Sequence, residues 1–473
     1  MPYKVSLVMP NLFRHLVRLS PAIFFLCLAL FSCSSKSKVE LHEQKSREAG
    51  RAAEFSALET ERQKSQALDS YLNSLSLRER LAQLFVLNLE GNEKFWFVEW
   101  VDGEKGPQAK KEPLIPGGYI FFSFNISKDP KQIAAFTDSV RDFARERQAL
   151  EPFLCLDAEG GYVNRLRGVA SPLPENEWIS NNLSPKEAAL IYALNAVQLR
   201  ALGFDLNLSP VVEVQNERNQ KFLDGRSFGG AEKVLQYGSE AVLAYQTNKV
   251  GTVLKHFPGN GEVDPHAALP LLSYETGEFS RDVLAPFAAL CALKPSGVLM
   301  SHALVNVFQA HSGDGLQGQN AAAASKTPAS LSAYWIKNVL RGALGFRGLV
   351  FSDDIFMAAL EKNGWTGERA VRAAVLAGAN CILMSEKRFI NEWKIAKKLY
   401  EADADFRAAA DDSAKRVLKF KLDAGILEYD FSEKKIVPAK RRPSLQEGLD
   451  SRLNRFYGAK KLGEEALKKY GED

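Results

Sequence analysis

Acids, imidazoles and a lysine recur where short apolar runs of this chain end: Asp157, Lys255-His256, Ser301-His302 and Ser352-Asp353-Asp354. Carboxylates attack electrophilic carbon or move protons, and imidazoles do the latter near neutral pH. The set therefore suits acid/base and nucleophilic work on a polar substrate. No His/Glu cluster has zincin spacing and no G-x-S-x-G elbow occurs, which argues against metal-assisted or serine-based chemistry. The five cysteines (27, 33, 155, 291 and 381) are too scattered for a disulfide framework or a zinc site. Cys155, Cys291 and Cys381 read as small buried side chains.

Those residues need a scaffold that gathers strand ends. The runs are Leu84–Leu89, Tyr119–Ser123, Phe153–Asp157, Phe204–Ser209, Thr252–His256, Gly297–His302, Leu349–Asp353 and Cys381–Ser385. Amphipathic segments lie between them, among them Pro130–Ala144, Pro185–Leu202, Glu232–Lys249 and Trp335–Leu344. Eight strand–helix units in series predict an α/β fold, a (β/α)₈ TIM-type barrel, whose strand carboxyl ends share one mouth. An open doubly wound sheet is the alternative, but no Gly-rich phosphate fingerprint follows the first run. The length of 473 residues accommodates such a barrel with appendages, and 46% apolar and 25% charged residues can build its core. The net charge is +4, and without Lys4, Arg14 and Arg18 it is +1, so bulk charge offers nucleic acid nothing.

The flanks read differently. Residues 1–32 have a basic start and the apolar run Ala22–Phe31, which would span only about 15 Å as helix, half a bilayer core. This is a signal segment, and Leu30-Phe31-Ser32-Cys33 is similar to a bacterial lipobox, so Cys33 is the expected lipid attachment site. An ordinary signal peptide with an incidental cysteine is the other reading. Residues 33–66 read as a charged spacer, 67–430 as the catalytic barrel and 431–473 as a short basic tail. Residues 303–327, rich in Ala, Gly, Gln and Ser, read as a long loop on the catalytic side.

A resemblance becomes specific at the strand ends. Lys255-His256-Phe257-Pro258-Gly259-Asn260-Gly261, followed by Asp264-Pro265-His266, resembles the K-H-F-P-G-H-G…D-S-H stretch of family 3 glycoside hydrolases. Pro328–Ser332 and Gly345–Asp354 resemble the segment and strand carrying that family's nucleophile. Asp157–Gly161 and Gly225–Gly229 match two further segments, and the order is kept over roughly residues 75–425. Within that family the stretch resembles the single-domain bacterial β-N-acetylhexosaminidases.

On residue type alone either Asp353 or Asp354 can attack an anomeric carbon. The resemblance puts that role on Asp353, directly after serine, and leaves Asp354 as a helix N-cap. Larger relatives take their general acid from a second domain, but only 120 residues follow Asp353 here. The resemblance therefore points to His266, with Asp264 fixing its tautomer. It also implies sugar binding by Asp157, Arg226, Lys255 and His256, with His302 a weaker candidate. Glu159 and Arg165 read as structural ions beneath the mouth. Three departures bear on the acid: only Glu262 and Val263 separate Gly261 from Asp264, Asn260 replaces a histidine, and Pro265 replaces serine. Glu213 stands where relatives have aspartate, a milder change.

The resemblance implies a retaining, exo-acting hydrolase that removes terminal β-linked N-acetylglucosamine from cell-wall fragments or glycans. It needs no cofactor or metal, and its partners are a carbohydrate substrate and, through Cys33, the membrane of a bacterial cell envelope. Other sugar specificity, phosphorolysis, or a non-catalytic carbohydrate-binding lipoprotein remain as alternatives.

Overall fold

In a computed structural model, the described residues are 36–96, 99–102, 111–261, 263, 268–308, 325–439 and 448–470. The signal segment and Cys33 lie outside them, as do Asp264 and His266. The chain divides into two units, Met1–Arg62 and Gln63–Asp473. Helix α1 (Lys36–Ser74) begins in the first and ends in the second, so the folded unit starts within the expected spacer. There Ala67, Leu68 and Leu72 turn inward.

The second unit is a closed barrel of eight parallel strands in chain order. They are β1 (Phe85–Asn88), β2 (Gly118–Phe121), β3 (Phe153–Leu156), β4 (Leu206–Asn207), β5 (Gly251–Phe257), β6 (Gly297–Met300), β7 (Leu349–Asp354) and β8 (Cys381–Met384). Each coincides with one of the eight apolar runs, because strands covered by helices on one side and by one another on the other must be apolar on both faces. Inward side chains such as Val86, Phe153, Cys155, Leu206, Val253 and Phe351 fill the barrel. The Phe153 ring packs edge-on to Phe351 at 6.4 Å and to Phe420 at 5.3 Å. Gly118 makes room for it, since a Cβ there would lie 2.4 Å from the Phe153 ring. Cys155, Cys291 and Cys381 are buried thiols.

Between strands run α2 (Pro130–Glu146), α3 (Pro185–Leu202), α4 (Ala231–Thr247) and α5 (Gly367–Ala377), with α6 (Ala404–Asp423) after β8. The ends of α3 follow from local chemistry. Ser184 and Glu187 form a reciprocal capping box, Pro185 occupies the first turn, and Gly203 ends the helix at φ 98°.

Two expectations need correction. Leu304–Phe308, expected to be loop, is a strand paired in parallel with Leu271–Glu275. Its alternation of buried Val305 and Val307 with Asn306 and Phe308 is a two-residue period hidden beside the Ala/Gly-rich stretch. Residues 309–324 lie outside the described residues.

The expected basic tail is also structured. Leu427–Asp430 and Lys435–Pro438 form an antiparallel hairpin, and α7 (Leu449–Lys468) buries Arg452, Leu453, Phe456, Ala459 and Leu467. It lies along the barrel's outer helices, where Arg452 donates to Asp138, Lys460 to the Val169 carbonyl at 2.8 Å and Lys469 to Glu187 at 2.7 Å. Its charges line the outside of an amphipathic helix, and composition alone hid that.

Candidate active site

The mouth is built at the carboxyl ends of β3, β4, β5 and β7. Asp157 follows β3, and a hairpin (Ala158–Gly160 with Val163–Asn164) carries Glu159 beside it. Asn207 at the end of β4 locks this segment. Its Nδ2 donates to the Ala158 carbonyl and its Oδ1 accepts from the Ala158 N–H, both at 2.9 Å. An amide satisfying both backbone groups of one residue fixes the directions of its neighbours.

From β5, the buried Lys255 ammonium lies 2.7 Å from Asp157 Oδ1 and 2.6 Å from Glu159 Oε1. Arg226, on the loop after β4, grips Glu159 through Nε at 2.7 Å and Nη2 at 2.9 Å. Arg165 reaches Asp157 Oδ2 at 3.3 Å. Two carboxylates and three cations thus form one lattice with a single excess positive charge. Burial would push the Glu159 carboxyl up, but Lys255 and Arg226 outweigh it and hold it at about 2. Burial would likewise lower Lys255, yet Asp157 and Glu159 raise its pKa above the ordinary ammonium value. Glu159 and Lys255 are therefore held in their charged forms, as suits a grip on hydroxyl groups.

A second carboxylate cluster adjoins it. His256 Nδ1 lies 2.7 Å from Glu213 Oε1, and a carboxylate only accepts, so Nδ1 carries the proton. The Asn260 N–H donates to Glu213 Oε2 at 2.6 Å, and its Nδ2 to Oε1 at 3.4 Å. Burial raises the Glu213 carboxyl, but His256 and Asn260 outweigh it and hold it below the ordinary value. Two departures from the family pattern therefore meet: the longer Glu213 holds the loop residue where Asn260 replaces histidine.

Asp353 stands at the tip of β7, half-buried, with its backbone in the left-handed region at φ 60°. Aspartate tolerates that conformation better than most residues, and it turns the side chain away from the strand's alternation. The β7–β8 register shifts after Phe351. Ser352 mends the break: its Oγ donates to the Asp353 carbonyl at 2.6 Å and accepts from the Leu383 N–H at 3.3 Å. Asp353 Oδ1 accepts the Asp354 N–H at 2.9 Å, and Asp354 Oδ1 accepts the Phe356 N–H at 2.9 Å. Asp354 thus closes a local turn and is not the expected helix N-cap, since the next helix, Ala358–Lys362, begins after Met357.

His302 behaves differently from expectation. It is fully buried, with Nε2 2.8 Å from the Asp354 carbonyl and Nδ1 2.6 Å from Ser330 Oγ. A carbonyl only accepts, so Nε2–H donates and neutral Nδ1 takes the Ser330 hydroxyl proton. Both nitrogens are engaged by the protein, and His302 holds the β7 tip.

The structure therefore joins Asp157, Arg226 and Lys255 in one lattice and sets His256 next to it. It puts Asp353 on the same barrel mouth and turns His302 into a strut. The sequence reading gave no site role to Glu213 or Asn207 and reduced Glu159 to a structural ion. Asn207 is a polar residue ending a two-residue strand, and that anomaly was its available signal.

The sequence matches the family described as "Glycosyl hydrolase family 3 N terminal domain" over residues 76–420. It is similar to the "Beta-hexosaminidase" of Pseudomonas aeruginosa strain LESB58, at 30% identity over 307 residues, 63% of this chain and 82% of that protein. The protein of the same name from Xylella fastidiosa strain M23 is 34% identical over 287 residues, 58% of this chain and 78% of that one. Among solved structures, the family 3 β-N-acetylglucosaminidase of Paenibacillus sp. str. FPU-7 superposes with a TM-score of 0.64 at 29% identity. That similarity covers 74% of this chain and 63% of the Paenibacillus chain.

Proposed function

The chain belongs to glycosyl hydrolase family 3, and from that premise we propose that it is a retaining, exo-acting β-N-acetylhexosaminidase. Its substrates are terminal β-linked N-acetylglucosamine residues of cell-wall fragments or glycans. The carrying observation is the Asp353 carboxylate at the β7 tip, in left-handed backbone, on the same mouth as the Asp157–Lys255–Glu159–Arg226 lattice.

In the first step an Asp353 oxygen bonds to the anomeric carbon as the glycosidic C–O bond breaks. The leaving oxygen takes its proton from His266, with Asp264 orienting the imidazole. In the second step His266 removes a proton from water, the water oxygen bonds to the anomeric carbon from the opposite face, and the ester to Asp353 breaks. Two inversions give net retention. Asp157, Lys255 and Arg226 supply the polar grip on ring hydroxyls, with His256 beside them, and Glu213 orients His256.

Hydrolysis of a chromogenic N-acetyl-β-glucosaminide by wild type, Asp353→Asn and His266→Ala tests these roles. Activity surviving in Asp353→Asn removes the nucleophile assignment, and a wild type inert towards β-glycosides yet able to bind glycans favours a non-catalytic lectin-like protein.

We further propose that the protein is lipid-anchored through Cys33 at a bacterial cell envelope. The basic start, short apolar run and polar Ser34–Ser37 after Cys33 support this. Cys33→Ser should move the protein from the membrane fraction to the soluble fraction; unchanged fractionation rejects the anchor.

A further inference from the structure

Close to the charged lattice lies an apolar feature with no role in the steps above. Phe122 and Phe124 follow β2, so they stand at the same carboxyl end of the barrel as Asp157 and Asp353. Their rings stack with centroids 5.9 Å apart and planes inclined by 24°. Phe122 is half-buried against the barrel interior, whereas Phe124 is 59% exposed. Beside them, the Arg165 guanidinium sits 5.4 Å from the Phe122 ring centroid while holding Asp157 Oδ2 at 3.3 Å. The aromatic pair is thus coupled to the sugar-gripping carboxylate through one side chain.

The loop carrying these rings is itself fixed. Asn125 is fully buried, its Oδ1 accepts the Phe122 N–H at 2.9 Å, and its Nδ2 donates to the Leu89 carbonyl at 2.9 Å and the Gly91 carbonyl at 2.7 Å. A loop held this firmly presents Phe124 in one place. An exposed ring on a fixed mount, next to a polar grip, offers a flat apolar surface to a partner with one flat C–H face. A pyranose ring has such a face, formed by its axial hydrogens, and a polar edge of hydroxyls that Arg165 can meet.

We propose that Phe124, braced by Phe122, is a stacking platform for the second sugar of the substrate, on the leaving-group side of the scissile bond. This deepens the hydrolase reading and rests on it. The terminal sugar belongs to the buried lattice of Asp157, Lys255 and Arg226. The exposed ring lies beyond that lattice and serves the next unit along. The preferred substrate is accordingly an oligosaccharide with a sugar as leaving group, in preference to a glycoside with a small one.

The test is titration calorimetry of the wild-type full-length protein and Phe124→Ala with two probes: N-acetylglucosamine and a non-hydrolysable, sulfur-linked β-1,4 disaccharide of it. Phe124→Ala is expected to weaken disaccharide binding roughly five- to tenfold while leaving the monosaccharide unchanged. Phe124→Trp should restore disaccharide affinity. Equal weakening for both probes, or for neither, overturns the platform. A parallel assay with N-acetyl-β-glucosaminyl fluoride, which has no second ring, separates the two readings. Phe124→Ala should hydrolyse it at the wild-type rate, and a rate lowered as far as disaccharide affinity overturns the platform. Wild type inert towards the fluoride, with Phe124-dependent disaccharide binding intact, refutes the hydrolase reading and leaves the platform standing.

Discussion

The β3–β5 side of the mouth and the β7 tip use carboxylates in opposite ways. On the first side, Asp157 and Glu159 are tied to Lys255, Arg226 and Arg165, and Glu159 is almost wholly buried. At the second, Asp353 is half-buried and its Oδ1 accepts the next residue's backbone N–H. Among the described residues no cation pairs with it. A carboxylate that binds through neighbours gains from full pairing, because pairing fixes charge and direction. In the proposed mechanism Asp353 forms a covalent bond and needs an uncommitted lone pair, which suits a position imposed through backbone geometry and not through a counter-ion. Order is therefore built into side chains on one side and into main chain on the other.

The largest expected effect follows from that contrast. Asp353→Asn should reduce kcat roughly 10⁴-fold and leave the urea midpoint unchanged, since asparagine tolerates φ 60° and no ion pair is lost. Equal losses of stability in Asp353→Asn and Glu159→Gln would erase the distinction. Glu159→Gln should cost about 3–5 kcal/mol at neutral pH, read by urea denaturation, because it leaves buried Lys255 and Arg226 short of a counter-charge.

The same carboxyl sets the acid limb. Glu159 titrates at about 2 when folded against a reference of 4.5, so its folded pKa is depressed. Its contribution is complete above pH 4.5 and is lost as pH falls towards about 2. Urea midpoints measured from pH 6 to pH 2.5 should fall more steeply for wild type than for Glu159→Gln. Parallel curves would show that other carboxylates govern acid unfolding.

Smaller changes sharpen the comparison. His302→Ala removes the strut behind the β7 tip and should cost about 1–3 kcal/mol, with kcat reduced and KM nearly unchanged. A KM effect alone would return His302 to sugar binding. Glu213→Asp should cost about 1 kcal/mol by losing the reach to Asn260. It should raise KM, with little change in kcat, because Glu213 acts through His256.

The eight strands were legible because a buried parallel strand must be apolar throughout, and the chain breaks each run with polar residues at its end. Asp157, Lys255 and Asp353 were legible for the same reason, as the residues at those breaks. The lattice was not, since Glu159 and Arg226 are 67 residues apart and only the folded loops bring them together. His302 looked like a ligand because it follows a strand, yet side-chain direction decides its role and residue type does not reveal direction. Glu213 was passed over as a conservative replacement, but one methylene is what lets it reach the Asn260 N–H. The helix α7 was masked by its own lysines and arginines, which carry the composition while Leu453, Phe456 and Leu467 carry the packing.

That last helix bears on how the molecule assembles. The flank formed by α2 and α3 emerges from the ribosome long before the residues that cover it, and Asp138 and Glu187 meet Arg452 and Lys469 only afterwards. A polypeptide halted near residue 430 would hold all eight strands yet display a greasy outer seam to chaperones and proteases. Docking of α7 thus acts as the closing clasp, and shortened recombinant versions trimmed to the family-matched region should be sticky before they are inactive.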